Sequence, residues 1–173
     1  MKKYLKEYGT LVLLLVIFLL MMRLMRSAAG GVAALSGGQG IIDLSFGISP
    51  AKTAKGLSAL TPGSAEYYRR IFLAIDCEYA FCYCMFYMYA VGLFLKKAGA
   101  PPKAAKLLPL MPAIGAVSDL AENTVLYIML SKGASDALCF AFSVFCMVKF
   151  IFVYSSLITS SGGLLWAIKK RLS

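Results

Sequence analysis

Long apolar runs alternate with short basic or Gly/Pro-rich breaks along this chain. A hydrocarbon core about 30 Å thick takes roughly 20 helical residues to cross. Four runs meet that length. The first is predicted over 8–28, after Lys2, Lys3, Lys6 and Glu7, and reads as an uncleaved anchor. Arg23 and Arg26 stand near its far end, where long side chains snorkel to the interface. The second span is predicted over 70–95, with Ser64 as N-cap and a collar of Tyr67, Tyr68, Arg69 and Arg70. The third is predicted over 107–130, with Pro109 and Pro112 in its first turns, where proline does least harm. The fourth is predicted over 137–160, capped by Ser135 or Asp136, with Ser160-Ser161-Gly162-Gly163 loosening its end.

Between spans one and two lies a loop predicted over 29–69. Ser49-Pro50 reads as an N-cap with proline at the first helical position. A short helix over 50–60 follows, with Ala51, Ala54, Leu57 and Leu60 at helical spacing. That pattern suits a helix lying on the membrane surface or over the bundle mouth. The predicted fold class is all-α, a four-helix transmembrane bundle with one short amphipathic helix in this loop. One transmembrane domain covers 1–173.

Composition agrees with this picture. Hydrophobic residues make up 60% of the chain and charged residues only 15%, with a mean hydropathy of +0.77. A disordered chain needs the opposite balance, and a water-soluble domain of this size could not hide so much apolar surface. The net charge of +10 comes from basic residues that flank the apolar runs. Placed there they set orientation, and no nucleic-acid partner is expected. If the N-terminus is cytoplasmic, that side gathers Lys2, Lys3, Lys6, Lys96, Lys97, Lys103, Lys106, Lys169, Lys170 and Arg171 in short segments. Both termini are therefore expected on the cytoplasmic face of the plasma (inner) membrane. With no His, a Ser-His-Asp triad and a Cys-His dyad are excluded. The five cysteines all fall inside apolar runs and read as small hydrophobes. No metal, haem or other cofactor is expected.

The informative residues are the polar ones inside the spans. Asp76 and Glu78 lie in span two, Asp119, Glu122 and Asn123 in span three, and Lys149 in span four. A charge near mid-bilayer costs about 2.5–3.5 kcal/mol on insertion scales, so such groups are paired, protonated or turned to a cavity. Positions 119, 122 and 123 share one helical face, which must look inward. Counted at about 1.5 Å per residue, Asp119 and Lys149 lie at matching depth. Lys149 is expected to pair with Asp119 or Glu122, and Arg23 or Arg26 with Asp76 or Glu78. Carboxyl groups then outnumber the deep base, and desolvation favours keeping at least one protonated. Asp76, Ala80, Tyr83 and Tyr87 follow one stripe of span two, so the Tyr83 hydroxyl is expected in the same cavity. The bland alternative is helix–helix glue, worth roughly 0.6 kcal/mol per polar contact.

These features resemble an uncharacterised family of small bacterial four-span membrane proteins. The residues that carry the resemblance are Asp43-Leu44, Thr61 and Ser64 leading to Tyr68-Arg69, Asp76, and above all Asp119-x-x-Glu122-Asn123 followed by Lys149. Cys77-Glu78-Tyr79 departs from the Phe-Pro and Tyr usual after the span-two acid. The resemblance implies the topology and the interior-facing residues, and no reaction. In architecture and buried acids the chain is also similar to the sterol isomerase and sigma-2 receptor group, without its His and Trp residues.

Two functions compete. One is a membrane protein, with or without a proton-transfer step, that binds a lipid or small hydrophobic ligand at Asp76, Tyr83, Asp119, Glu122, Asn123 and Lys149. The loop helix would be its lid. The other is a subunit or scaffold that joins other membrane proteins or a homo-oligomer through small faces such as Ala113, Gly115 and Ala116. A transporter ranks below both, since no inverted repeat or pair of broken helices is visible.

Overall fold

The computed structural model describes residues 2–38, 40–42 and 47–172. Among these the chain is all helix and turn. The order is α1 (Lys2–Leu35), α2 (Pro50–Ser58), α3 (Pro62–Tyr67), a π-helical turn (Tyr68–Phe72), α4 (Leu73–Ala98), α5 (Pro102–Leu107), a 3-10 turn (Leu108–Leu110), α6 (Met111–Lys132) and α7 (Asp136–Leu172). Among the described residues, four continuous segments are long and apolar enough to cross a membrane: Lys6–Leu35, Pro62–Ala98, Pro102–Lys132 and Asp136–Lys170. They fit a multi-pass integral membrane protein.

The helices outrun the expected spans. At 34 residues α1 is about 50 Å long, well beyond the hydrocarbon core. It continues through Gly30 and Gly31 because its far end is packed: Ala28 and Val32 are buried. A Cβ at Gly31 would lie 2.6 Å from the Tyr67 ring, so only glycine lets that ring lie against α1. The expected loosening at Ser160–Gly163 does not occur either, and α7 runs unbroken to Leu172. Gly163 is buried where a Cβ would meet the Phe94 Cβ at 3.2 Å, so glycine there serves close contact between α7 and α4.

Caps follow local chemistry. Ser49 accepts from the Lys52 amide to start α2, with Pro50 at the first helical position. Thr61, and not the expected Ser64, is the N-cap of α3, accepting from the Ser64 amide; its own hydroxyl donates to Leu35 O at 2.9 Å and ties α3 to the end of α1. Ser135 Oγ accepts from the Leu138 amide at the start of α7. Gly99, at φ 75°, ends α4 in the left-handed conformation.

Buried positions recur at alternating three- and four-residue steps along α4, α6 and much of α7. On α4 they are Leu73, Asp76, Ala80, Tyr83, Tyr87 and Ala90. On α6 they are Pro112, Gly115, Asp119, Glu122, Leu126 and Met129. On α7 they include Cys139, Phe142, Cys146, Lys149, Ser156 and Ser160. That spacing is the seam of left-handed bundle packing. One apolar cluster fills the end below the loop, where Val32, Ile48, Phe72, Leu126 and Phe142 meet and Leu57 and Leu60 close over them. A second joins Ala80, Tyr83, Tyr87 and Ala116, with Phe18 packed against it from α1.

Candidate functional site

Asp119 and Glu122 of α6 and Lys149 of α7 sit on the seam, at positions otherwise filled by apolar side chains. Lys149 Nζ lies 2.7 Å from Glu122 Oε2 and 3.2 Å from Asp119 Oδ1. Glu122 is 0% and Lys149 7% exposed. One ammonium is thus held by two carboxylates a single helical turn apart. Tyr83 donates its hydroxyl to Asp119 Oδ2 at 3.1 Å, which brings α4 into the same chain of contacts. Tyr83, Asp119, Lys149 and Glu122 form one linked series across α4, α6 and α7.

Two expected residues border this series. Asp76 is buried one seam position from Ala80 on α4. Asn123 donates to Cys77 Sγ at 3.8 Å. Its Oδ1 is buried and has no hydrogen-bond partner among the described residues. A buried amide oxygen left this way costs about 1–3 kcal/mol unless something donates to it.

The structure does not bring the α1 arginines to this site. Arg23 and Arg26 are exposed and form no ion pair among the described residues, and Glu78 is exposed as well. The reason is register. The face of α1 turned to the bundle runs through Leu14, Phe18, Met25, Ala28 and Val32, and Arg23 and Arg26 fall off it. Their side chains are long enough to reach an interface alone.

Ser118 and Gly115 support the site, and sequence reasoning missed both roles. Ser118 Oγ donates to Phe145 O at 3.0 Å, a direct tie from α6 to the α7 backbone one turn before Lys149. A Cβ at Gly115 would sit 3.3 Å from Val153 Cγ2 and 3.6 Å from Lys149 O. Glycine therefore lets α7 approach closely enough for Lys149 to reach both acids. This corrects the reading of Gly115 and Ala116 as an outward face for partners, since both are buried inside the bundle. The signal available was the seam spacing of Gly115 with Asp119 and Glu122.

No family model, curated protein or solved structure matches the chain. What it does must then rest on the chemistry of this site. The cysteines are free thiols. Among the described residues no three Asp, Glu or Cys side chains converge as metal ligands would. Asp43-Leu44, part of the resemblance drawn above, lies outside the described residues. The arrangement offers many buried acceptors and one cationic donor, fixed by packing on three helices. Such a site holds a proton, or receives a group that donates hydrogen bonds.

Proposed function

We propose that this chain is an integral membrane protein that binds the polar end of a lipid-like or small hydrophobic molecule inside its helix bundle. Asp76, Tyr83, Asp119, Glu122, Asn123 and Lys149 form the polar end of that site. The observation that carries the reading is the buried Asn123 Oδ1 beside an acid-rich cluster with a single lysine. A hydroxyl or amine head would satisfy the amide oxygen and share the acceptors. The apolar body would lie against the aromatic side chains of α4 and Phe18.

Entry is from the leaflet below the loop. There α2 serves as the lid, with Leu57 and Leu60 over the apolar cluster. The plasma (inner) membrane with both termini cytoplasmic is part of this proposal, as is membership in the small bacterial four-span family with the D-x-x-E-N motif. The whole of 1–173 acts as one transmembrane domain. The scaffold reading ranks lower, because Gly115 is taken up by its contact with α7 and Ala116 by the cluster with Ala80, Tyr83 and Tyr87 of α4.

The test is photolabelling in vesicles with three diazirine probes of equal chain length, a fatty alcohol, a fatty amine and a fatty acid. The alcohol or the amine is expected to label the segments around Asn123 and Lys149, the acid far less, and Asn123→Leu should abolish the labelling. Equal labelling by all three probes, or none in these segments, would overturn the proposal.

A further inference from the structure

Glu78 stands on the outside of the bundle at the depth of the buried acids. Asn123 touches Cys77, so across the antiparallel α4 and α6 Glu78 lies level with Glu122. The exposed Arg70–Glu66 pair, in the collar at the start of this span, is about 12 Å nearer the surface. Glu78 is exposed and makes no hydrogen bond or ion pair among the described residues. A lysine or arginine so placed reaches the interface on its long stem, and a glutamate does not. Ionisable groups at such depth face the bundle interior or pair with one another.

Arg23 carries the opposite charge at the same level. Phe18 stacks on Tyr79 and Phe86, and Gly31 lies against Tyr67, so α1 runs antiparallel to α3 and α4. Arg23 falls between those anchors, within about one turn of Glu78 in depth. Within one chain the body of α1 separates the two. Met25 packs against the bundle, and Arg23, two residues away, is turned by about 200° from it.

Both helices leave a stripe uncovered around these charges. Ile71, Ala74, Glu78, Phe81 and Met85 are exposed at alternating three- and four-residue steps. Leu13, Ile17, Leu20 and Leu24 of α1 are exposed at the same steps. That is the spacing of a packed helix seam. The two stripes open on the same side of the α1–α4 pair. Ile17 and Leu24 each precede by one residue the inward-facing Phe18 and Met25, and Glu78 and Met85 each precede Tyr79 and Phe86, which face α1. On antiparallel helices that same step turns to the same side. The opposite side of α4 is taken up by α6, through Tyr83 and its neighbours.

We propose that this face joins two copies of the chain into a two-fold dimer, with Arg23 of each copy paired to Glu78 of the other. A two-fold axis along the membrane normal leaves depth unchanged, so groups that are level in one chain are level across the interface. The contact is self-complementary: two ion pairs form at once, with Leu20 and Phe81 packed beside them. Charge favours a second copy over any other partner, because the face carries both members of the pair. A stripe that only meets acyl chains has no use for a carboxylate. The inference does not rest on the ligand proposed for the Lys149 site.

The full chain, carrying a donor or an acceptor dye at its C-terminus, is reconstituted in phosphatidylcholine vesicles, and energy transfer is followed as lipid is added. The parent should associate as a dimer. Glu78→Gln and Arg23→Gln each remove both pairs and should weaken association roughly tenfold. Arg26→Gln should leave it unchanged, because Arg26 follows Met25 by one residue and lies on the other side of α1. Arg23→Glu and Glu78→Arg each set like charges against each other and should be monomeric alone. Mixed, they should associate as the parent does, since only the mixed dimer restores both Arg–Glu contacts. A monomeric parent would leave the face to a different protein and would overturn the proposal. So would unchanged association in the two Gln variants, equal weakening by Arg26→Gln, or no recovery on mixing two swapped chains that both insert. If a swapped chain does not insert, the three Gln variants decide the matter. Asn123→Leu should leave association intact, so failure here and failure at the Lys149 site read out separately.

Discussion

Tyr83 and Asp119, on α4 and α6, are joined by a buried hydrogen bond of 3.1 Å that leaves the second oxygen of Asp119 for Lys149 at 3.2 Å. One carboxylate thus couples three helices. Tyr83→Phe removes only the donor. It should cost about 1 kcal/mol, within the range of interhelical hydrogen bonds in membranes. Tyr87→Phe, one turn further along the same buried stripe, should be near neutral, because no hydrogen bond joins the Tyr87 hydroxyl to the described residues. Unfolding in mixed detergent and SDS micelles measures both.

Removing the base is more severe. Lys149→Met leaves Asp119 and Glu122 buried without their counter-ion. A broken buried pair typically costs about 3–5 kcal/mol. The variant should melt well below the parent, and adding Asp119→Asn and Glu122→Gln should restore most of the loss. Thermal unfolding in detergent gives both numbers.

Gly115 sets the spacing of α6 and α7. Gly115→Ala places a methyl group 3.3 Å from Val153 Cγ2, a tight contact that a small side-chain shift relieves. Gly115→Leu cannot be relieved so cheaply and should cost about 1–3 kcal/mol by overpacking. It should also part Lys149 from the α6 acids. The expected result is a mild effect for Ala and, for Leu, a strong one with loss of labelling by the donor-headed probe.

Thr61 holds the lid side together through its cap of α3 and its bond to Leu35 O. Thr61→Ala should cost about 1 kcal/mol. Hydrogen exchange should rise in 62–67 and at the end of α1, and remain unchanged around Lys149.

Much of this was legible in the sequence because polar residues in an apolar background carry their own coordinates. Asp119, Glu122 and Asn123 mark one face of α6 by spacing alone. Asp76, Ala80, Tyr83 and Tyr87 mark the matching stripe of α4. Ser49-Pro50 announced α2 by local chemistry. The rest depended on contacts between distant segments. Arg23 reads as a partner for Asp76 because the stretch 11–22 of α1 is apolar on every side and does not reveal which face turns inward. Gly31 and Gly163 looked like breaks, yet each lies where a ring or a backbone presses against it. The Glu7–Lys97 pair joins residues far apart in sequence, and no local pattern announces it.

The convergence of α6 and α7 within the bilayer is tested most directly by a double-mutant cycle on Lys149 and Glu122. Unfolding free energies are measured for the parent, Lys149→Met, Glu122→Gln and the pair together. Residues in contact share an interaction energy of roughly 0.5–3 kcal/mol, while distant ones add. The double variant should be less destabilised than the sum of the single variants, by at least about 1 kcal/mol for a buried pair at 2.7 Å. Strict additivity would mean that these side chains do not meet, and the intramembrane site would go with them.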